Sequence, residues 1–128
     1  MAEPLFLQSQ MHEKIWGGNR LRKEFGYDIP SETTGEYWAI SAHPNGVSVV
    51  KNGVYKGVPL DELYAEHREL FGNSKSSVFP LLTKILDAND WLSVQVHPGG
   101  RKNYRVFAVY STTLFPTKQR AHNMRPYG

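Results

Sequence analysis

Short strand-like segments separated by glycine turns, with one helical pattern among them, most constrain the fold of this 128-residue chain. Leu92–His97 alternates between apolar and polar side chains, and Glu36–Ser41 is rich in aromatic and β-branched residues. Only Pro59–Phe71 repeats apolar residues at three- and four-residue spacing, as an amphipathic helix does. Strands outnumber helices and no β-α-β alternation occurs. The sequence therefore predicts a mainly β sandwich or barrel.

Weaker local signals complete this prediction. Pro4–Gln10 and Phe79–Leu86 are expected to form strands, and two Asn-Gly turns around Val47–Lys51 predict an antiparallel meander. The paired glycines of Trp16–Gly18 predict a tight turn. A helical turn is expected over Asn19–Phe25, with its first residue as the N-cap.

Composition excludes several classes of protein. The chain has no cysteine, which rules out a disulfide framework, a Cys-based zinc finger and a thiol nucleophile. Its N-terminus lacks the pattern of a secretory signal, and no apolar run reaches the length of about 20 residues that a membrane helix needs. We therefore expect a cytoplasmic protein that does not bind a membrane.

The net charge of +3 is divided unevenly along the chain. Residues 1–98 carry nine basic and twelve acidic side chains, whereas residues 99–128 carry six basic side chains and no acidic one. Aromatic residues alternate with the basic ones in this tail: Tyr104, Phe107, Tyr110 and Phe115. Such a composition suits stacking on bases and contact with phosphates, so a small module that binds nucleic acid is the alternative function.

A row of polar side chains on one strand face is the main candidate for chemistry. Gln95 and His97 lie two residues apart, so their side chains point the same way about 6.6 Å apart along the strand, and Ser93 extends the row. Both could reach one metal ion, but a zinc site needs further ligands from elsewhere. The same pattern is also typical of the solvent face of a half-buried sheet.

Lys84 is the second candidate, because it interrupts an apolar segment. It fits either a charge that protects an edge strand or an interior ammonium that requires an anionic partner such as a ligand phosphate. Three histidines are weaker candidates: for His67 we expect packing or exposure, for His43 a role in a loop, and for His12 no specific role.

Five phrases together resemble the N-terminal part of the type I mannose-6-phosphate isomerases (phosphomannose isomerases), zinc enzymes built on cupin jelly rolls. They follow in family order across residues 4–98: Ile15–Gly18, Gly35–Pro44, Leu70–Gly72, Phe79–Ala88 and Leu92–Pro98. The resemblance implies the opening portion of a cupin-type jelly roll with one inserted helix, incomplete in this chain.

The resemblance also assigns roles to residues. It implies that Gln95 and His97 are the first two ligands of a single Zn²⁺, and that Lys84 and Ser93 line the sugar-phosphate pocket and take part in catalysis. Trp16 and Glu36 match positions that bind substrate near that pocket. The implied reaction interconverts mannose 6-phosphate and fructose 6-phosphate, and the resemblance leaves the oligomeric state open.

The tail departs from the family after Pro98. Family members continue with acidic residues, including a glutamate zinc ligand, but residues 99–128 contain no acid. His122 stands in a context unlike any in the family. We therefore expect 1–98 to be the N-terminal part of the catalytic cupin domain and 99–128 to be a divergent, out-of-frame or disordered basic tail, the alternative being a genuine lineage-specific extension. Such a chain is expected to bind zinc weakly and to show little activity.

Overall fold

The structure is a computed structural model that describes residues 3–92 and the backbone of Arg105–Tyr110. In chain order the elements are β1 (Leu7–Gln8), β2 (Gln10–Gly18), α1 (Arg20–Lys23), β3 (Thr34–Ser41), β4 (Val49–Val50), α2 (Leu60–Glu66), a 3₁₀ helix (Arg68–Phe71), β5 (Leu81–Leu86) and β6 (Arg105–Tyr110). Most of the paired strands are antiparallel and the helices are short. The mainly β fold predicted from the sequence is confirmed.

A four-stranded sheet in the order β2-β3-β5-β6 forms the larger part of the fold. β3 pairs antiparallel with both β2 and β5, whereas β6 runs parallel to β5. In this register Trp38 on β3 lies opposite Gln10 on one side and Lys84 on the other. The central strands therefore bring side chains that are far apart in sequence into one row.

The predicted meander is wrong. The first Asn-Gly turn forms, with the Gly46 amide donating to the His43 carbonyl at 2.9 Å, but β4 pairs with β1 in a separate two-stranded sheet. The chain leaves β3 after Ser41, whose amide donates to the buried Ser48 hydroxyl at 2.9 Å. Because Ser48 takes up the end of β3, the following segment crosses to the other sheet. The second Asn-Gly pair is followed by turns, not by a strand.

The predicted tight turn at Trp16–Gly18 is also wrong, because β2 continues through Gly18. The glycine is needed for close approach instead: a Cβ on Gly17 would lie 2.5 Å from the Thr33 carbonyl oxygen and 2.6 Å from the Gly35 amide nitrogen. The absent side chain lets two backbone segments touch at the end of β2.

The short helix α1 begins after Asn19, as predicted, but Asn19 does not cap it with its side chain. The Asn19 amide group donates to Glu32 at 2.8 Å. The buried Asp87 carboxylate accepts from the Arg20 backbone amide at 2.7 Å and so takes the capping role from 67 residues away.

The predicted helix over Pro59–Phe71 is divided in two. α2 buries Leu60, Leu63 and Tyr64, and the Tyr64 ring meets Phe79 edge-on at 5.5 Å in the hydrophobic core. His67 breaks the helix with φ −129° and ψ 60°, and the 3₁₀ helix that follows ends, as predicted, at Gly72 in the left-handed region. The His67 ring lies 4.9 Å from the Tyr55 ring, in line with the packing role expected for it.

Two other predictions meet the limits of the described residues. Of the strand expected over Leu92–His97, only Leu92 is described, and it lies outside any strand. β6 lies within the tail predicted to diverge, while Tyr104 and Phe115 fall outside the described residues. Within residues 3–92 and 105–110, no helix is long and apolar enough to cross a membrane.

Candidate active site

A buried carboxylate and an ammonium group meet on neighbouring strands of the larger sheet. Lys84 Nζ on β5 lies 3.3 Å from Glu36 Oε1 on β3, and the two side chains are 19% and 10% exposed. β5 lies between β3 and β6, so Lys84 does not guard a sheet edge. Of the two sequence interpretations, the structure supports the interior ammonium, and its anionic partner is Glu36.

Trp38 completes the coordination of this carboxylate. Its indole Nε1 donates to Glu36 Oε2 at 2.6 Å, so each carboxylate oxygen has a different partner. Lys84 Nζ also lies 6.0 Å from the Trp38 ring centroid, at the outer limit of a cation–π contact. The carboxylate therefore has fixed donors on both sides, which holds the Lys84 ammonium in one place on the sheet.

Two imidazoles flank the same indole. The His12 and Trp38 ring centroids are 4.2 Å apart, and the His43 ring meets Trp38 edge-on at 5.6 Å. His12 lies directly opposite Glu36 in the β2–β3 register. Burial lowers the pKa of His12 from 6.5, an effect that the nearby Glu36 charge partly opposes. His12 is therefore neutral near pH 7 (about the midpoint of the physiological range).

The lowered pKa of His12 predicts that acid destabilises the domain. The unfolded chain binds a proton at His12 at a higher pH than the folded chain does, so the contribution of neutral His12 is fully present above 6.5 and is lost as the pH falls through its folded pKa. We expect His12→Phe to flatten the decline in unfolding free energy between about pH 7 and pH 5, by no more than about 1.4 kcal/mol per pH unit. Urea unfolding at a series of pH values measures this. Equal slopes for the two proteins would contradict it.

Trp16 lies on the other side of β3 from the carboxylate. Its Cζ3 atom is 2.8 Å from the position that a Cβ on Gly35 would take, and adjacent residues of a strand face opposite sides. The structure thus brings Glu36 and Lys84 together and places the Trp16 ring over Gly35. Its predicted role in substrate binding stays a prediction.

The predicted metal ligands fall outside the described residues. Gln95 and His97 are in that part of the chain, as are Ser93 and the weaker candidate His122. Among the residues that the structure does describe, no three side chains of the His, Cys, Asp or Glu type come together as a metal site. The zinc site therefore stays a prediction.

The sequence interpretation missed Trp38 and gave His12 no role. Trp38 was accessible to prediction, because a residue two positions from Glu36 on a strand shares its face. No local pattern marks His12. Its place depends on the register between β2 and β3, which includes shifts after His12 and after Glu13.

Together, the mainly β fold and the buried carboxylate–ammonium pair define part of a β-sheet catalytic domain. The chain belongs to the type I phosphomannose isomerase family: the family model for the catalytic domain matches residues 5–124. This match extends past residue 98, so the division predicted there stays a prediction.

Relatives and a solved structure agree with this membership. A mannose-6-phosphate isomerase of Streptococcus mutans is 99% identical over 98 residues, which are 77% of this chain and 31% of the relative. The mannose-6-phosphate isomerase ManA of Bacillus subtilis is 60% identical over 97 residues, or 76% of this chain and 30% of the relative. The crystal structure of the mannose 6-phosphate isomerase from Bacillus subtilis matches with a TM-score of 0.66 and 61% identity, over 68% of this chain and 28% of that one. The chain thus spans about a third of the length of these curated relatives.

Proposed function

We propose that the chain carries the N-terminal part of the active site of an aldose–ketose isomerase that interconverts mannose 6-phosphate and fructose 6-phosphate. The buried Glu36–Lys84 pair is the observation that carries this proposal, since both residues were assigned to the sugar-phosphate pocket before their contact was known. Family membership supports the substrate class. A cytoplasmic location belongs to the same proposal. The comparisons give the nucleic-acid alternative no support.

The proposed reaction moves a proton between C1 and C2 of the open-chain sugar through an enediolate. Lys84 is suited to bind an anionic group of the substrate or to assist ring opening, because Glu36 and Trp38 hold its ammonium at a fixed position. Ser93 would orient a sugar hydroxyl. Gln95 and His97 would hold Zn²⁺, which when bound supplies Lewis acidity that favours negative charge on substrate oxygens.

A coupled isomerase assay with added zinc tests the proposal. We expect the longer Streptococcus mutans relative to convert mannose 6-phosphate and the 128-residue chain to show little turnover, since only two zinc ligands are assigned in it and a catalytic zinc usually has three. Metal content after dialysis should be well below one zinc per chain. Turnover by this chain comparable to that of the relative would contradict the incomplete site, and a relative without isomerase activity would contradict the function.

A further inference from the structure

The His12 ring is held between a turn and the indole of the candidate site. On one side it lies 4.2 Å from the Trp38 ring, measured between centroids. On the other side is Gly46, where a Cβ would come within 2.9 Å of His12 Nε2 and 3.2 Å of Trp38 Cε3. Gly46 therefore lets the turn close directly on both rings. The ring's position is determined by packing on two sides.

This position has a cost in folding free energy. Among the described residues, His12 Nε2 is buried and has no hydrogen-bond partner. A buried polar atom without a partner is less favourable than an apolar atom of the same shape. An imidazole at this position is thus a poorer choice for stability than a phenyl ring would be, which points to a role beyond packing.

We propose that His12 is a positioning residue: its ring fixes the Trp38 indole, and the indole orients Glu36 so that this carboxylate presents Lys84 to the substrate. The contacts form one continuous series, from His12 to the indole, from indole Nε1 to Glu36 Oε2, and from Glu36 Oε1 to Lys84 Nζ. The kinetic consequence rests on the proposed function, whereas the effect on the indole does not.

The charges around His12 make this arrangement depend on pH. The charged and titratable groups that face it are Lys14 from its own strand, Glu36 from β3, Lys84 from β5 and His43 from the turn. Neutral His12 leaves Glu36 to Trp38 and Lys84. A protonated His12 would attract the same carboxylate and repel the ammonium of Lys84, so acid should loosen the pair.

Two variants and a control separate the shape of the ring from its charge. His12→Ala removes both, His12→Phe keeps a ring against the indole, and His67→Ala removes an imidazole that lies on Tyr55 instead. The readout is the indole N–H signal of Trp38 in the 128-residue chain, observed by nuclear magnetic resonance. We expect its hydrogen exchange to be about tenfold faster in His12→Ala, and to change less than about twofold in the other two variants.

The pH dependence of that signal gives a second readout. In the unsubstituted chain its chemical shift should change with a midpoint below 6.5, the His12 titration. We expect this inflection in His67→Ala and not in His12→Phe. If it persists in His12→Phe, or if exchange in His12→Ala is unchanged, the proposal is wrong. If circular dichroism shows that His12→Ala is unfolded, the inflection in His12→Phe decides alone.

Kinetics in the longer Streptococcus mutans relative connect this to catalysis. At the position that aligns with His12, we expect the alanine variant to raise KM about tenfold with kcat within about threefold, and the phenylalanine variant to restore KM near pH 8. A fall in kcat alone, or failure of phenylalanine to restore KM, would contradict the proposal. An inactive unsubstituted relative would contradict the proposed function and leave the indole experiments to decide the role of His12.

Discussion

Gly17→Ala is expected to lower the unfolding free energy by about 3 kcal/mol, the upper end of the cost of overpacking. The added methyl group would lie 2.5 Å from the Thr33 carbonyl oxygen, 2.6 Å from the Gly35 amide nitrogen and 2.8 Å from the Thr33 carbonyl carbon. All three are backbone atoms, so no side-chain rotation relieves the contact. β2 and the backbone near the start of β3 would have to separate. Urea unfolding followed by circular dichroism measures the loss.

The neighbouring Gly18→Ala is the matched control. Its methyl group would meet the Asp87 carboxylate oxygens at 3.0 and 3.2 Å and Asn89 Cβ at 3.2 Å. These are side-chain atoms that can shift by a few tenths of an ångström, although Asp87 also caps α1. We expect a loss of about 1 kcal/mol. Equal losses for the two glycines would show that the backbone contact at Gly17 is not the cause.

The two glycines also show how far local sequence predicts this fold. Alternation and β-branched residues correctly predicted β3 and β5, because these signals depend on a strand's own faces. The pairing partners were less accessible. Asp87 caps a helix 67 residues away, and Gly17 accommodates backbone from a different strand. No pattern within a few residues encodes such contacts.

The candidate site divides in the same way. Glu36 and Lys84 were assigned through the family resemblance, but their contact depends on register, since Lys84 lies opposite Trp38 and not opposite Glu36. Trp38 follows from alternation along β3. Trp16 was assigned with them, yet its ring packs over Gly35, on the face opposite Glu36. Family phrases therefore identify the residues, while the sheet determines which of them meet.

Lys84→Met is expected to affect both stability and activity. The change leaves the Glu36 carboxylate buried with the Trp38 indole N–H as its remaining partner, and an unpaired buried charge is strongly unfavourable. Because the side chains are 10% and 19% exposed, solvent screens part of this penalty. We expect a loss of about 2–3 kcal/mol in urea unfolding, near the lower end for broken buried pairs.

A double-mutant cycle tests the cause of this loss. Glu36→Gln removes the buried charge, so Glu36→Gln with Lys84→Met should be more stable than Lys84→Met alone by about 1 kcal/mol or more. The exposed Lys75 provides the control, since Lys75→Met should change stability by less than about 0.5 kcal/mol. If the two changes at the buried pair are additive, the ammonium and carboxylate are not coupled.

The same lysine variant has the largest expected effect on catalysis. In the longer Streptococcus mutans relative, methionine at the position of Lys84 should lower kcat/KM about 100-fold, as expected when a charge-assisted contact of about 3 kcal/mol to the substrate is lost. Arginine at that position would keep the positive charge but not the compact ammonium, and should restore part of KM and little of kcat if Lys84 assists ring opening. Full recovery by arginine would limit Lys84 to binding an anionic group. Unchanged kcat/KM in the methionine variant would remove Lys84 from the site, even if the buried pair proves important for stability.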